Sequence, residues 1–182
     1  MKKKDYKNVV FLCGVFAKTV KNAMVSEKGE NMKIFEIQER SPQIIQHLLE
    51  IWEDSVRATH LFLSDAEIAR IREYVPSALR GVEHLIIAAD KSDEAVAFMG
   101  IEKQRLEMLF LSPAERGKGL GKRLMHYGME MYGIRELTVN EQNPQAVGFY
   151  RHLGFETYRR TERDEQGSPY PLLYMRHGSP KF

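Results

Sequence analysis

The sixteen residues Leu109 to Leu124 (L-F-L-S-P-A-E-R-G-K-G-L-G-K-R-L) hold the densest set of groups suited to chemistry. An apolar run of strand character meets three glycines and then a helical period. Bare N–H groups at a helix start, at the positive end of the dipole, make an anion site. Gly117, Gly119 and Gly121 let the backbone approach a pyrophosphate with no Cβ in the way. Arg116, Lys118 and Lys122 supply charge for phosphate oxygens. A P-loop, G-x-x-x-x-G-K-[ST], fails twice here: Arg116 stands at its first glycine and Arg123 follows Lys122. A dinucleotide fingerprint, G-x-G-x-x-G, fails at Lys122. The pattern R-x-x-G-x-G fits as Arg116, Gly119 and Gly121. An ordinary solvated basic turn is the competing reading.

About twenty residues downstream comes a second pattern, N-x-x-A-x-x-x-Y-x-x-x-G-F, carried by Asn143, Ala146, Tyr150, Gly154 and Phe155. Together, and in this order, the two segments resemble the GNAT (Gcn5-related) N-acetyltransferase superfamily. The stretches Trp52 to Leu63, Val139 to Asn143 and Gly167 to Leu172 look like its YjaB-type group of small bacterial enzymes. The resemblance covers roughly residues 33–176.

That resemblance implies attack by an amine on the thioester of acetyl-CoA, with no metal. It implies that Leu109, Phe110 and Leu111 lend backbone groups to the pantetheine arm. The amides from Arg116 through Gly117, Lys118, Gly119, Leu120, Gly121 and Lys122 would hold the pyrophosphate, with Asn143 near the cofactor. Tyr150 sits at the family's acid position. The chemistry needs such groups. An acceptor lysine, with a pKa of ~10.4, is neutral in only about one molecule in 2,500 at pH 7, a deficit of roughly 4.6 kcal/mol. A base is therefore useful. The departing thiolate, of thiol pKa ~8.5, needs a donor, and a phenol of pKa ~10 is a reasonable one. Glu107, on the strand before the loop, is the candidate base. Glu102 reads as a surface residue. His60 and Trp52 are candidates for the acceptor side, His60 also for the base, and the acids Glu53, Asp54, Asp65 and Glu67 could draw in a cationic amine. His126 and His152 read as surface or satisfied residues.

These residues need a scaffold. A strand over 34–40 is followed by a helix that Ser41-Pro42 starts. Ser64, with Glu67 three residues on, predicts a capping box for a second helix whose end Pro76 perturbs. Strands over 84–89, 95–101 and 106–111 read as an antiparallel meander. A helix follows over 119–132, then a strand over 137–139 and a helix over 144–153 with Asn143 as N-cap. Two strands, 155–161 and 172–175, close the chain. The order predicts an α/β fold, a single mixed, mostly antiparallel central sheet flanked by helices.

The chain has 182 residues, 43% of them hydrophobic, which suits one domain with a real core. No apolar run reaches the ~18 residues of a membrane helix, and one cysteine, Cys13, excludes a disulfide framework or a Cys-rich zinc site. The net charge of +2 is uneven: residues 1–31 carry +4 and residues 32–182 carry −2. A nucleic-acid partner is not expected of the body. Lys2 to Ala17 imitates a signal peptide poorly, with Asp5 and Lys7 inside it. Lys28-Gly29-Glu30-Asn31 before Met32 suits a ribosome-binding sequence, so translation from Met32 is the expectation, with the domain over 32–178. A cytoplasmic N-acetyltransferase acting on a protein or small-molecule amine is the leading reading. A non-catalytic acyl-CoA sensor or docking module is the alternative. The acceptor, membership of an oligomer and the base stay open.

Overall fold

A computed structural model describes residues 32–178. The expectations for residues 1–31 fall outside the described residues. In chain order the elements are β1 (Lys33–Glu36), α1 (Pro42–Thr59), α2 (Asp65–Arg72), α3 (Val75–Gly81), β2 (His84–Ala89), β3 (Ala95–Glu102), β4 (Arg105–Leu111), α4 (Leu120–Tyr132), β5 (Glu136–Asn140), α5 (Pro144–His152), β6 (Phe155–Thr161) and β7 (Leu172–His177).

The helix starts follow local chemistry. Ser41 Oγ accepts from Ile44 N–H with Pro42 just inside α1. Ser64 and Glu67 form the expected capping box of α2. Pro76 does more than perturb an end. It sits in the first turn of a separate short helix, α3, where its missing N–H costs nothing. The first strand is shorter than expected, stopping at Glu36.

Seven strands form one sheet in the order β1-β2-β3-β4-β5-β7-β6. Every pairing is antiparallel except β4 with β5. That parallel pair runs only from Arg105 opposite Glu136 to Leu106 opposite Leu137, so the two strands separate beyond it. Alternate residues of β2 feed two cores. Ile86 and Ala88 join α4 and α5 on one face, and Leu85 and Ile87 join α1, α2 and α3 on the other. Two glycines permit close packing. A Cβ at Gly128 of α4 would lie 2.5 Å from Ile134 Cδ1 and 3.0 Å from Met99 Cε. A Cβ at Gly100 of β3 would lie 2.6 Å from Met108 Cε.

Candidate active site

The gap between β4 and β5 is where the chemistry-bearing residues meet. A cavity of about 400 Å³ is walled by Ser55, Thr59 and His60 from the end of α1, and by Leu109, Phe110 and Leu111 from β4. The turn contributes Arg116, Gly117, Gly119, Gly121 and Lys122, and the α5 region Asn143, Phe149 and Tyr150. A smaller chamber of about 90 Å³ adjoins it, sharing His60, Leu109, Phe110, Asn143, Ala146 and Tyr150 and adding Glu107, Thr138 and Asn140.

The glycine turn has the geometry its sequence demands. Gly117 (φ +74°) and Gly119 (φ +86°) are left-handed, and Gly119 is the N-cap of α4. Glycine adopts that conformation without steric cost. The N-cap has no side-chain hydrogen bond, and the first helical backbone bond runs from Arg123 N–H to the Gly119 carbonyl. The preceding N–H groups are therefore those a helix start leaves for a ligand. Arg116 Nη2 donates to Gln145 Oε1 (2.6 Å), which ties the turn to the first turn of α5. Lys118 lies outside the cavity wall and pairs with Glu115 at 3.1 Å. The Leu120 side chain packs into the core, so only its backbone could meet a phosphate.

Asn143 caps α5, its Oδ1 accepting from Ala146 N–H at 3.1 Å. Tyr150 follows two turns later, 9% exposed, with Phe149 and Phe155 in edge contact. Burial alone pushes its phenol above the usual tyrosine range, so it stays protonated.

His60 terminates α1. Thr59 Oγ1 donates to the Ser55 carbonyl (2.7 Å) and lies 2.7 Å from His60 Nδ1. A hydroxyl has one proton, and here the Ser55 carbonyl takes it. His60 Nδ1 must then be the N–H donor, which leaves Nε2 as an acceptor. Burial, then the Arg116 charge, lowers the His60 pKa from 6.5 to about 4. The ring is neutral at pH 7.

Glu107 reaches the chamber because β4 is irregular. Opposite β3 the register passes from Met108 at Gly100 to Leu106 at Ile101, skipping Glu107. Such a bulge re-aims a side chain. Glu107 Oε1 pairs with Arg105 Nε at 3.0 Å, and Arg105 also meets Thr138 Oγ1. Glu107 lines a second, open groove of about 700 Å³ with Arg135, Glu136 and Arg176, so it stands between the chamber and solvent.

Four expectations are not met. Trp52 is 3% exposed, in the core with Leu48 and Val56, and does not line the cavity. The helical face three residues on, Ser55 and Thr59, does so instead. Glu102 is buried rather than on the surface, at the end of β3. Glu53 and Asp65 are no lure for a cation. Arg57 pairs with both, at 2.9 and 2.5 Å, and Arg72 also holds Glu53, at 2.7 Å. Glu67 is spent on Ser64 and on the Tyr170 hydroxyl, which hold its pKa near 2. His126 and His152 are exposed as expected, although His152 borders the cavity.

Sequence reasoning missed Gln145 and Asn140. Asn140 is buried, its Oδ1 accepts from Gln142 N–H (2.8 Å), and its Nδ2 has no hydrogen-bond partner among the described residues. An unmet buried amide donor costs about 1–3 kcal/mol. Among the described residues no group of His, Cys, Asp and Glu could hold a metal ion, and no helix is long and apolar enough to cross a membrane.

The family profile of the acetyltransferase (GNAT) domain matches residues 53–172. Peptidyl-lysine N-acetyltransferase YjaB of Salmonella typhimurium is 42% identical over 130 residues, which is 71% of this chain and 89% of the relative. Its Escherichia coli namesake is 40% identical over 130 residues, 71% of this chain and 88% of the relative. The solution structure of apo-form YjaB from Escherichia coli superposes with a TM-score of 0.72 at 36% identity, covering 80% of this chain and 97% of that one. A sheet that parts between β4 and β5, a left-handed glycine turn and a buried tyrosine across the gap agree with this match, and the chain belongs to the GNAT family of acetyltransferases.

Proposed function

We propose that the protein transfers the acetyl group of acetyl-CoA to the ε-amine of a protein lysine. One observation carries the reading: a single cavity gathers Leu109 to Leu111 of β4, the turn residues Arg116, Gly117, Gly119, Gly121 and Lys122, and Asn143, His60 and Tyr150. The turn's amides and the Lys122 charge hold the diphosphate. The edge of β4 facing the gap pairs with the pantetheine amides, and the thioester ends beside Tyr150. The lysine side chain enters past His60. Its class follows the printed names of the two YjaB relatives. A small-molecule amine remains the second acceptor class, and the cytoplasm is the compartment proposed.

In the transfer, the neutral amine adds to the thioester carbon, forming the N–C bond. Collapse then breaks the C–S bond. The amine proton passes to Glu107, whose second face on the open groove returns it to solvent. His60 Nε2 accepts a hydrogen bond from the amine and orients it. At a pKa of about 4 it orients better than it stores a proton. Tyr150, protonated throughout the neutral range, donates to the departing sulfur; the product is free coenzyme A, and the phenolate takes a proton back from solvent as the products leave and the cavity opens to water.

The test incubates the purified chain with acetyl-CoA and a panel of lysine peptides, N-terminal peptides, polyamines and aminoglycosides, read by mass spectrometry. Acetylation of lysine peptides is the expected result. Binding of acetyl-CoA with no acetylated product from any amine would favour the sensor reading. No heat on titration with millimolar acetyl-CoA would refute both.

A further inference from the structure

Asn140 ends β5 and starts the turn into α5. Its Oδ1 accepts the Gln142 amide at 2.8 Å, and its backbone carbonyl accepts the Asn143 amide at 3.1 Å. The first bond identifies the two ends of the side-chain amide: Oδ1 is used, and Nδ2 lies opposite. An aspartate or a serine would close the same turn. The turn therefore accounts for the oxygen and leaves the NH₂ unexplained. That NH₂ is sealed from solvent, on a side chain 3% exposed, with no hydrogen-bond partner among the described residues.

Asn140 lines the chamber of about 90 Å³ together with Glu107, His60 and Tyr150. The chamber is small beside the main cavity and has room for the few heavy atoms of an acetyl group. Among the reacting atoms, only one is a strong hydrogen-bond acceptor. The attacking nitrogen commits its lone pair to carbon, the sulfur accepts weakly, and the methyl does not accept. The carbonyl oxygen remains.

We propose, resting on the acetyl-CoA reading above, that Asn140 is a catalytic residue whose Nδ2–H donates to the thioester carbonyl oxygen. As the N–C bond forms, the carbonyl π pair moves onto that oxygen, and the waiting donor stabilises the oxyanion. When the C–S bond breaks, the pair returns and the carbonyl of the amide product is restored. The Asx turn fixes the orientation of the amide, and because Nδ2 is sealed in the free protein, a small yielding of the chamber wall as the acetyl group seats brings the oxygen to it.

The experiment compares wild type with Asn140→Asp and Asn140→Ser. Both retain an oxygen for the Gln142 amide, and neither presents the NH₂. Three quantities are read: kcat with a lysine peptide, the Kd of acetyl-CoA against that of free coenzyme A, and the infrared band of carbonyl-labelled acetyl-CoA on the protein. Expected is a fall in kcat of about 10²- to 10³-fold. Coenzyme A affinity should hold within about threefold while acetyl-CoA loses its advantage over it, and the carbonyl band should move to higher frequency. A role confined to the turn would alter melting temperature and leave the band and the affinity ratio in place, which overturns the proposal. So would unfolding of both variants, which would show that the fold itself consumes the amide. If wild type fails to bind acetyl-CoA, the underlying reading falls first and this one with it. Acetyl-CoA binding with an unmoved band in the variants removes Asn140 alone.

Discussion

Burial perturbs Tyr150 and His60 at the cavity, both toward their neutral forms. For Tyr150 the consequence is kinetic. Tyr150→Phe removes the donor and keeps the ring, so kcat should fall by about 10²-fold or more while acetyl-CoA Kd stays within about threefold. Steady-state kinetics beside calorimetry checks this, and an unchanged kcat would take the phenol out of the mechanism. For His60 the consequence is also thermodynamic. The unfolded chain binds this proton near pH 6.5 and the folded chain only near 4. The unfolded state thus holds more protons in that window, and stability rises with pH through it. The contribution of the neutral ring is intact above about 6.5 and is lost progressively as pH falls toward 4. His60→Gln should flatten the melting temperature against pH between those values, measured by thermal denaturation at closely spaced pH.

The turn from β4 to α4 and the start of α5 make contrasting use of glycine. Gly119 is left-handed at the N-cap, and a Cβ there would meet nothing within 4 Å. Substitution is therefore penalised by backbone strain rather than by clash, at ~1–2 kcal/mol. Gly119→Ala should lower the melting temperature by roughly 3–6 °C and weaken acetyl-CoA by about tenfold, equivalent to ~1.4 kcal/mol. Gly148 lies inside α5 with open space around it. Gly148→Ala should raise stability by ~0.5–1 kcal/mol through helix propensity and leave acetyl-CoA affinity alone. Melting curves and titrations of the pair check both signs.

At the scale of the whole molecule, the sheet is weakest where the site lies. β4 and β5 pair over only two positions, whereas β3 pairs with β4 from Ala97 to Glu102. A ligand seated in the gap touches α1, β4 and the turn on one side and α5 on the other. Binding to the folded state alone adds about 2.7 kcal/mol at a ligand concentration of 100 times Kd. For a domain of this size that is a rise of about 5–10 °C in melting temperature. Hydrogen exchange should slow most at the parted ends of β4 and β5 and in α5, which border the cavity. A thermal shift below 1 °C at saturating acetyl-CoA would contradict a bridging ligand.

Much of this was legible in the chain. Ser41-Pro42, the Ser64 and Glu67 box, Asn143-Pro144 and Gly119 act on neighbours within four residues. Helix starts and the glycine turn are therefore written locally. Arg116 with Gln145, Glu67 with Tyr170 and Arg57 with Asp65 pair across 29, 103 and 8 positions. No local pattern announces such partners. They turned an expected acidic lure into internal ion pairs and tied the turn to α5. The helical phase that buries Trp52 and shows Ser55 and Thr59 to the cavity depended on where α1 lands on the sheet. The bulge at Glu107 depended on β3 opposite it. The amino-acid order was enough to specify the turn between β4 and α4, because backbone conformation there is a property of glycine. Which α1 side chains face the cavity and where Glu107 is aimed were decided only by packing, because a side chain's neighbours across a sheet are chosen by the register of distant strands.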